Sequence, residues 1–215
     1  MRRIWNDLTS MRLLPALFTC ICLISCSQDT ITENQRSAYY WSTTWQMDSN
    51  KMNFIQKHHI KRLYVRFFDV VRDADGEIMP NATLQFETTD ENMTAEEKEK
   101  ESLMPKGMEI IPVVYIVNDC FKANTKTNPI RSNKSGGKSS DETPRQLADK
   151  ILNRILQMNV ANDIGNVKEI QIDCDWTAST KDAYFEFLHI LKEKAKDKKM
   201  QLSATIRLHQ LSMTP

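Results

Sequence analysis

The chain has 215 residues and almost balanced charge, with 29 basic and 28 acidic side chains. That balance removes the electrostatic case for a nucleic-acid partner. Beyond the N-terminal region no apolar run approaches the ~20 residues that a membrane-spanning helix needs. Of five cysteines only Cys120 and Cys174 lie beyond residue 26, and no CxxC or HExxH occurs, so neither a disulfide framework nor a zinc pattern is written into the chain.

Residues 1–25 read as a secretory signal: Arg2, Arg3 and Arg12 precede an apolar run over 13–24 that only Pro15 and Thr19 interrupt. Met11 offers an alternative start to the same signal. Leu23-Ile24-Ser25-Cys26 resembles the bacterial lipobox, which makes Cys26 the lipid-bearing first residue of the mature protein. Residues 26–37, polar after the cysteine, read as a tether. Lipid on one cysteine anchors a protein to a membrane without spanning it. The expected location is therefore the cell envelope, with the outer membrane favoured, and the membrane itself is a partner through the lipid. Loss of residues 1–25 removes three Arg and one Asp and turns a formal charge of +1 into −1. Residues 38–215 are long enough for one domain with one core.

Residues 38–45, rich in aromatic and β-branched side chains, predict a first strand. Asp48 caps a predicted helix through about Lys57, with Met52, Ile55 and Gln56 on one face. Residues 62–71 are nearly continuous in apolar character and predict a second strand covered on both faces. Residues 72–107 break this rhythm with Asp75-Gly76, Pro80 and an acidic stretch, and Thr94 to Glu97 forms a capping box for a short helix. A third strand follows over 109–117, in which Pro112 fits only near the start or at a bulge.

Residues 122–143, rich in Asn, Ser, Lys and Gly, read as a mobile loop. Its Gly-Gly-Lys-Ser is no phosphate loop, because the first glycine of that motif falls on Ser132. Thr143-Pro144 starts a helix with Leu147, Ile151, Ile155 and Met158 at helical spacing. A fourth strand is predicted within 166–176, and a helix capped by Ser179 or Thr180 buries Tyr184, Leu188, Leu191 and Ala195. Residues 201–211 predict a fifth strand.

Strands alternating with helices predict an α/β fold of parallel units. Five such strands fit a partial (β/α)8 TIM-type barrel, or alternatively a doubly wound five-stranded sheet. No GxGxxG follows the first strand, so the usual dinucleotide signal is absent and no cofactor is expected.

On the fourth strand Glu169, Gln171, Asp173 and Asp175 share one face, while Ile170, Ile172, Cys174 and Trp176 share the other. In a barrel the first set points inward, and Asp173 and Asp175 lie at the C-terminal mouth, where catalytic residues of that fold sit. Two carboxylates ~7 Å apart along a strand can perturb one another, bind a cation or flank a sugar. The alternative is a pair of inward polar residues bonded to neighbouring side chains. Arg66 and Asp69 near the end of the second strand, and Arg207 and His209 near the end of the fifth, complete the candidate mouth. There the arginines could neutralise the aspartates or grip an anion. Ser203, Thr205, Arg207 and His209 are expected to share one face of the fifth strand. Among the aromatic residues Tyr39, Tyr40, Trp41, Trp45 and Trp176, the two best placed to stack on sugar rings at the mouth are Tyr40 and Trp176.

The blocks 40–44, 62–70, 169–176 and 203–211 resemble a group of lipoproteins from Bacteroides-type gut bacteria, a group similar to divergent glycoside-hydrolase-type (β/α)8 barrels. The resemblance spans about residues 38–211 and implies a fold more firmly than a chemistry. Such relatives continue past a fifth strand, and a full barrel takes ~250 residues, so the resemblance implies an interrupted barrel. The fourth strand also looks like the chitinase-type motif. Aligned on Asp173-x-Asp175, that motif's terminal catalytic Glu falls on Thr177. Two functional classes follow: a glycan-active envelope enzyme using Asp173 and Asp175, or a non-catalytic glycan-binding or structural lipoprotein, of which a non-functional fragment is the limiting case.

Overall fold

A computed structural model describes residues 35–86, 91–97, 104–105, 107–122, 144–165 and 167–213. The signal segment, Cys26, nearly all of the tether, the cap residue Thr143 and the Gly-Gly-Lys-Ser loop lie outside the described residues.

The chain folds as α/β. Strands β1 (Arg36–Tyr40), β2 (Ile60–Arg72), β4 (Glu109–Ile116), β5 (Glu169–Cys174) and β6 (Gln201–Ala204) form one sheet in that spatial order, and every neighbouring pair is parallel. A sixth strand, β3 (Ile78–Asn81), pairs antiparallel with the end of β2. The parallel strands are laid down in chain order without reversal. A doubly wound sheet turns back on itself at a switch point, so this winding is the sequential one that barrels share. Among the described residues β1 and β6 remain at opposite ends of the sheet.

The helices are α1 (Ser49–Lys57), α2 (Pro144–Ala161), α3 (Lys181–Asp197) and a short α4 (Leu208–Leu211). Asp48 caps α1 as expected, its carboxylate accepting from the Lys51 amide at 2.8 Å. Thr180 precedes α3, but its hydroxyl is turned away from the helix and donates to Asn118 at 2.5 Å. Leu147, Ile151, Ile155 and Met158 of α2 are all buried. On α3 the buried set is Tyr184, Phe187, Leu191 and Ala195, with Phe187 taking the place expected for Leu188. These helices cover one face of the sheet, where Leu63, Ile110, Val114, Ile170 and Ile172 complete a single core. Among the described residues no helix is long and apolar enough to cross a membrane.

The structure departs from the sequence reading in four places. The first strand ends at Tyr40, and Trp45 leaves the sheet to be fully buried in the core, held by its amide donating to the Gln85 carbonyl at 2.6 Å. Residues 73–77 form a hairpin turn: the Asp73 carboxylate accepts from the amides of Asp75 and Glu77, and Gly76 takes φ 93°, so the irregular stretch contains β3. Pro112 sits inside β4, opposite Val65, rather than at its beginning. The fifth parallel strand stops at Ala204, not at 211. Beyond it the fully buried Gln210 amide accepts from the Arg207 amide and donates to the Trp176 carbonyl, both at 2.8 Å, which turns the chain into α4.

Candidate functional site

The face of the sheet opposite the helices is polar, as the alternation on the fourth strand predicts. It divides into three zones along the strand direction.

At the N-terminal end, Arg62 bridges the carboxylates of Glu109, at 3.1 Å, and Glu169. Glu169 also accepts from Ser203 Oγ at 2.6 Å and Tyr64 Oη at 3.4 Å. Burial works against the Arg62 charge, but the hydrogen bond and charge of Glu169 outweigh it and hold the guanidinium above its ordinary value. Tyr64 is raised by burial first and by Glu169 second. This zone is a closed network in which each polar group finds a partner, the condition for a buried network to stabilise.

In the middle lies an aromatic platform. Side chains alternate along β1, so Tyr39 and Trp41 share the open face while Ala38 and Tyr40 pack toward the core. The Tyr39 and Trp41 rings lie 5.8 Å apart and parallel within 5°, and Tyr64 stacks on Tyr39 at 4.9 Å. Tyr39 is 48% exposed and Trp41 45%. The Tyr39 hydroxyl donates to the Gln171 amide oxygen at 2.9 Å, and the Arg66 guanidinium sits 5.9 Å from the Trp41 ring centre. Under this layer Ile111 and Val113 are fully buried.

At the C-terminal end, Asp69, Tyr115 and Asp173 stand in register on β2, β4 and β5. Arg66 grips Asp69 with two nitrogens, Nε lying 2.7 Å from Oδ1. In a regular strand residues three apart point to opposite faces. Here β2 bulges between Arg66 and Phe68, and the extra residue brings Arg66 and Asp69 to the same side. The carbonyl of the intervening Phe67 is taken by the Leu84 amide at 2.7 Å. The Asp69 hydrogen bond is the main reason the Arg66 guanidinium is raised above its ordinary value. Thr205 donates to Asp173, and Arg207 pairs with Asp175. Tyr115 Oη lies 3.4 Å from Asp175 Oδ2, and its phenol is raised by burial first, then by Asp175 and Asp173.

The structure thus brings together Arg66, Asp69, Asp173, Asp175 and Arg207 of the expected site. It does not bring the other three there. Trp176 is 1% exposed and packs against Tyr184 and Phe185, because its place on the strand aims it under α3. Tyr40 packs on Trp45, and its hydroxyl donates to the Thr44 carbonyl and accepts from the Gln46 amide, so it holds the turn after β1 instead of lining the mouth. His209 is carried on α4, exposed, rather than on the inward face of a strand. Thr177, where the motif places a glutamate, bonds Thr180, Ser179 and Asn118.

Tyr115 was not foreseen. Its signal was the alternation along β4, which sets Glu109, Ile111, Val113 and Tyr115 on one face, a pattern hidden because two of the four are apolar. Among the described residues no group of three or more His, Cys, Asp or Glu side chains is placed to hold a metal ion. No protein-family model, curated protein or solved structure matches the chain.

Proposed function

We propose that the chain is a glycan-binding protein of the cell envelope, held to the membrane by lipid on Cys26, and that its open sheet face is where the oligosaccharide lies. The observation that carries this reading is the half-exposed, parallel-stacked Tyr39–Trp41 pair bordered by polar side chains. A sugar ring has apolar C–H faces and a polar edge. The first suits an exposed aromatic ring, and the second suits Gln171 and Arg66 beside it. Such a face offers apolar area and hydrogen bonds together.

A second reading, glycoside hydrolysis through Asp173 and Asp175, is favoured by the gathering of three aspartates and Tyr115 at the C-terminal strand ends, the functional rim of β/α folds. Against it, Asp175 is taken by Arg207, Asp173 by Thr205 and Asp69 by Arg66. The position where the chitinase-type motif carries its acid holds Thr177.

Titration of the full chain with a panel of neutral and acidic oligosaccharides, with reducing ends assayed on the same samples, separates the two. Binding without release supports the first reading. Trp41→Ala should then weaken binding about tenfold, equivalent to about 1.4 kcal/mol, with little change in melting temperature. Release that is lost in Asp173→Asn hands the site to hydrolysis, and a panel with no binder sinks both. The anchor is tested separately: Cys26→Ser should abolish palmitate labelling and membrane partitioning.

A further inference from the structure

On the opposite side of the sheet from the aromatic platform, a cavity of about 340 Å³ opens between the β2–β3 hairpin and α2. Phe68, Ile78, Leu147 and Ile151 give it apolar walls. Lys150 and Arg154 line it, and no acidic side chain does among the described residues. Arg154 lays its guanidinium 5.3 Å from the centre of the Phe68 ring and donates from Nη2 to Thr83 Oγ1 at 2.9 Å. Its Nε is buried without an acceptor. No carboxylate pairs with Arg154 among the described residues. A half-buried cation facing an apolar space without a counter-ion is costly. Arginine is also the side chain whose fork best matches a carboxylate.

We infer that this cavity is a binding site for a small amphipathic carboxylate, with its apolar body between α2 and the hairpin and its carboxylate on Arg154. The volume is at the small end of ligand pockets, which run from ~300 to ~1,000 Å³, so the ligand is a short acyl chain or a compact apolar acid rather than a long lipid. Nothing in this assignment depends on the glycan reading, which concerns the other face of the sheet.

The test is calorimetric titration of the full chain with octanoate, octanol and octylamine. Octanoate is expected to bind at least tenfold more tightly than octanol, and octylamine weakest of the three. Equal affinities for octanoate and octanol, or no octanoate binding by the folded protein, would overturn the inference without any variant being made. Arg154→Gln should weaken octanoate tenfold or more and leave octanol within about twofold. Asn153→Trp, on the exposed side of α2 at the cavity wall, should weaken both. If octanoate binding survives both substitutions in proteins that still melt cooperatively, it lies elsewhere and the assignment is wrong.

Discussion

On β5 the residues Ile170, Ile172 and Cys174 enter the core beneath α2 and α3, while Glu169, Gln171 and Asp173 face a layer of tyrosines, arginines and hydroxyls. One strand therefore serves two different environments. The covered face is held by close packing of apolar side chains, each worth roughly 1.5–3 kcal/mol when fully buried. The open face is held by hydrogen bonds and ion pairs whose net worth is smaller, ~0.5–3 kcal/mol apiece, and it presents rings and polar groups to solvent. Along β5 packing and polar contacts are thus divided between the two sides of the strand, and substitutions on the two sides should separate them.

The largest effect is expected on the covered face. Trp176 is one of the largest fully buried side chains, wedged against Tyr184 and Phe185. Trp176→Ala should cost about 3–5 kcal/mol through lost burial and the cavity left behind, read as a large fall in the urea midpoint. A loss under about 1 kcal/mol would mean that the core at α3 is not packed as described. On the open face, Glu169→Gln keeps the volume but removes the charge that Arg62 binds, and weakens the acceptor for Ser203 and Tyr64. About 1–3 kcal/mol should be lost. The same change in an Arg62→Met background should cost markedly less, because the two side chains act as a unit.

Much of this division was legible in the sequence. The alternation through residues 169–176 gives both faces of β5 correctly, and the spacing of Leu147, Ile151, Ile155 and Met158 gives the buried side of α2. What was not legible is set by partners rather than by pattern. Whether Tyr39 or Tyr40 faces outward depends on the register of β1 against β2, which pairs Tyr39 with Tyr64 and Tyr40 with Val65. A one-residue change of phase exchanges the two faces, so Tyr39 takes the open face expected for Tyr40, which packs toward the core. The bulge at Phe67 leaves no mark in the hydrophobic pattern, because 67 and 68 are both phenylalanine and both buried. The hairpin at 73–77 did carry a signal in Asp75-Gly76, a dipeptide that favours tight turns. The end of β6 depends on Gln210, whose role is visible only once residue 176 is beside it.

Alkaline pH sharpens the comparison on a single side chain. Cys174 belongs to the covered face, and its thiol is pushed from an ordinary value of 9.0 up to about 12, by burial first and then by the nearby Asp175 and Cys120. Below pH 9 the thiol is protonated in both folded and unfolded chains, so the contribution is fully present. Between pH 9 and about 12 the unfolded chain loses the proton and the folded chain keeps it. Stability then falls with rising pH, at up to about 1.4 kcal/mol per pH unit from this group. The measurement is a difference that isolates this group: unfolding free energy from pH 8 to 11 for the native chain and for Cys174→Ala. The variant should show the shallower decline, and parallel declines would mean that Cys174 is not buried as described.

The smallest effect on stability, and the most informative about function, is expected at the C-terminal rim. Asp175 pairs with Arg207, whose side chain is 59% exposed, and exposed ion pairs are worth little because solvent screens them and two long side chains must be ordered to form them. Asp175→Asn should therefore change stability by no more than about 0.5 kcal/mol. Asp173→Asn keeps an oxygen that can accept from Thr205, so its effect should be equally small. If these aspartates serve a ligand, each substitution should weaken oligosaccharide binding, or abolish turnover where any exists, while the melting temperature stays put. If they serve only the fold, each should lower the melting temperature and leave binding intact. The second outcome would make the rim part of the scaffold and confine recognition to Tyr39, Trp41 and their neighbours. The first would extend the binding face along β5 from the aromatic platform to the C-terminal strand ends.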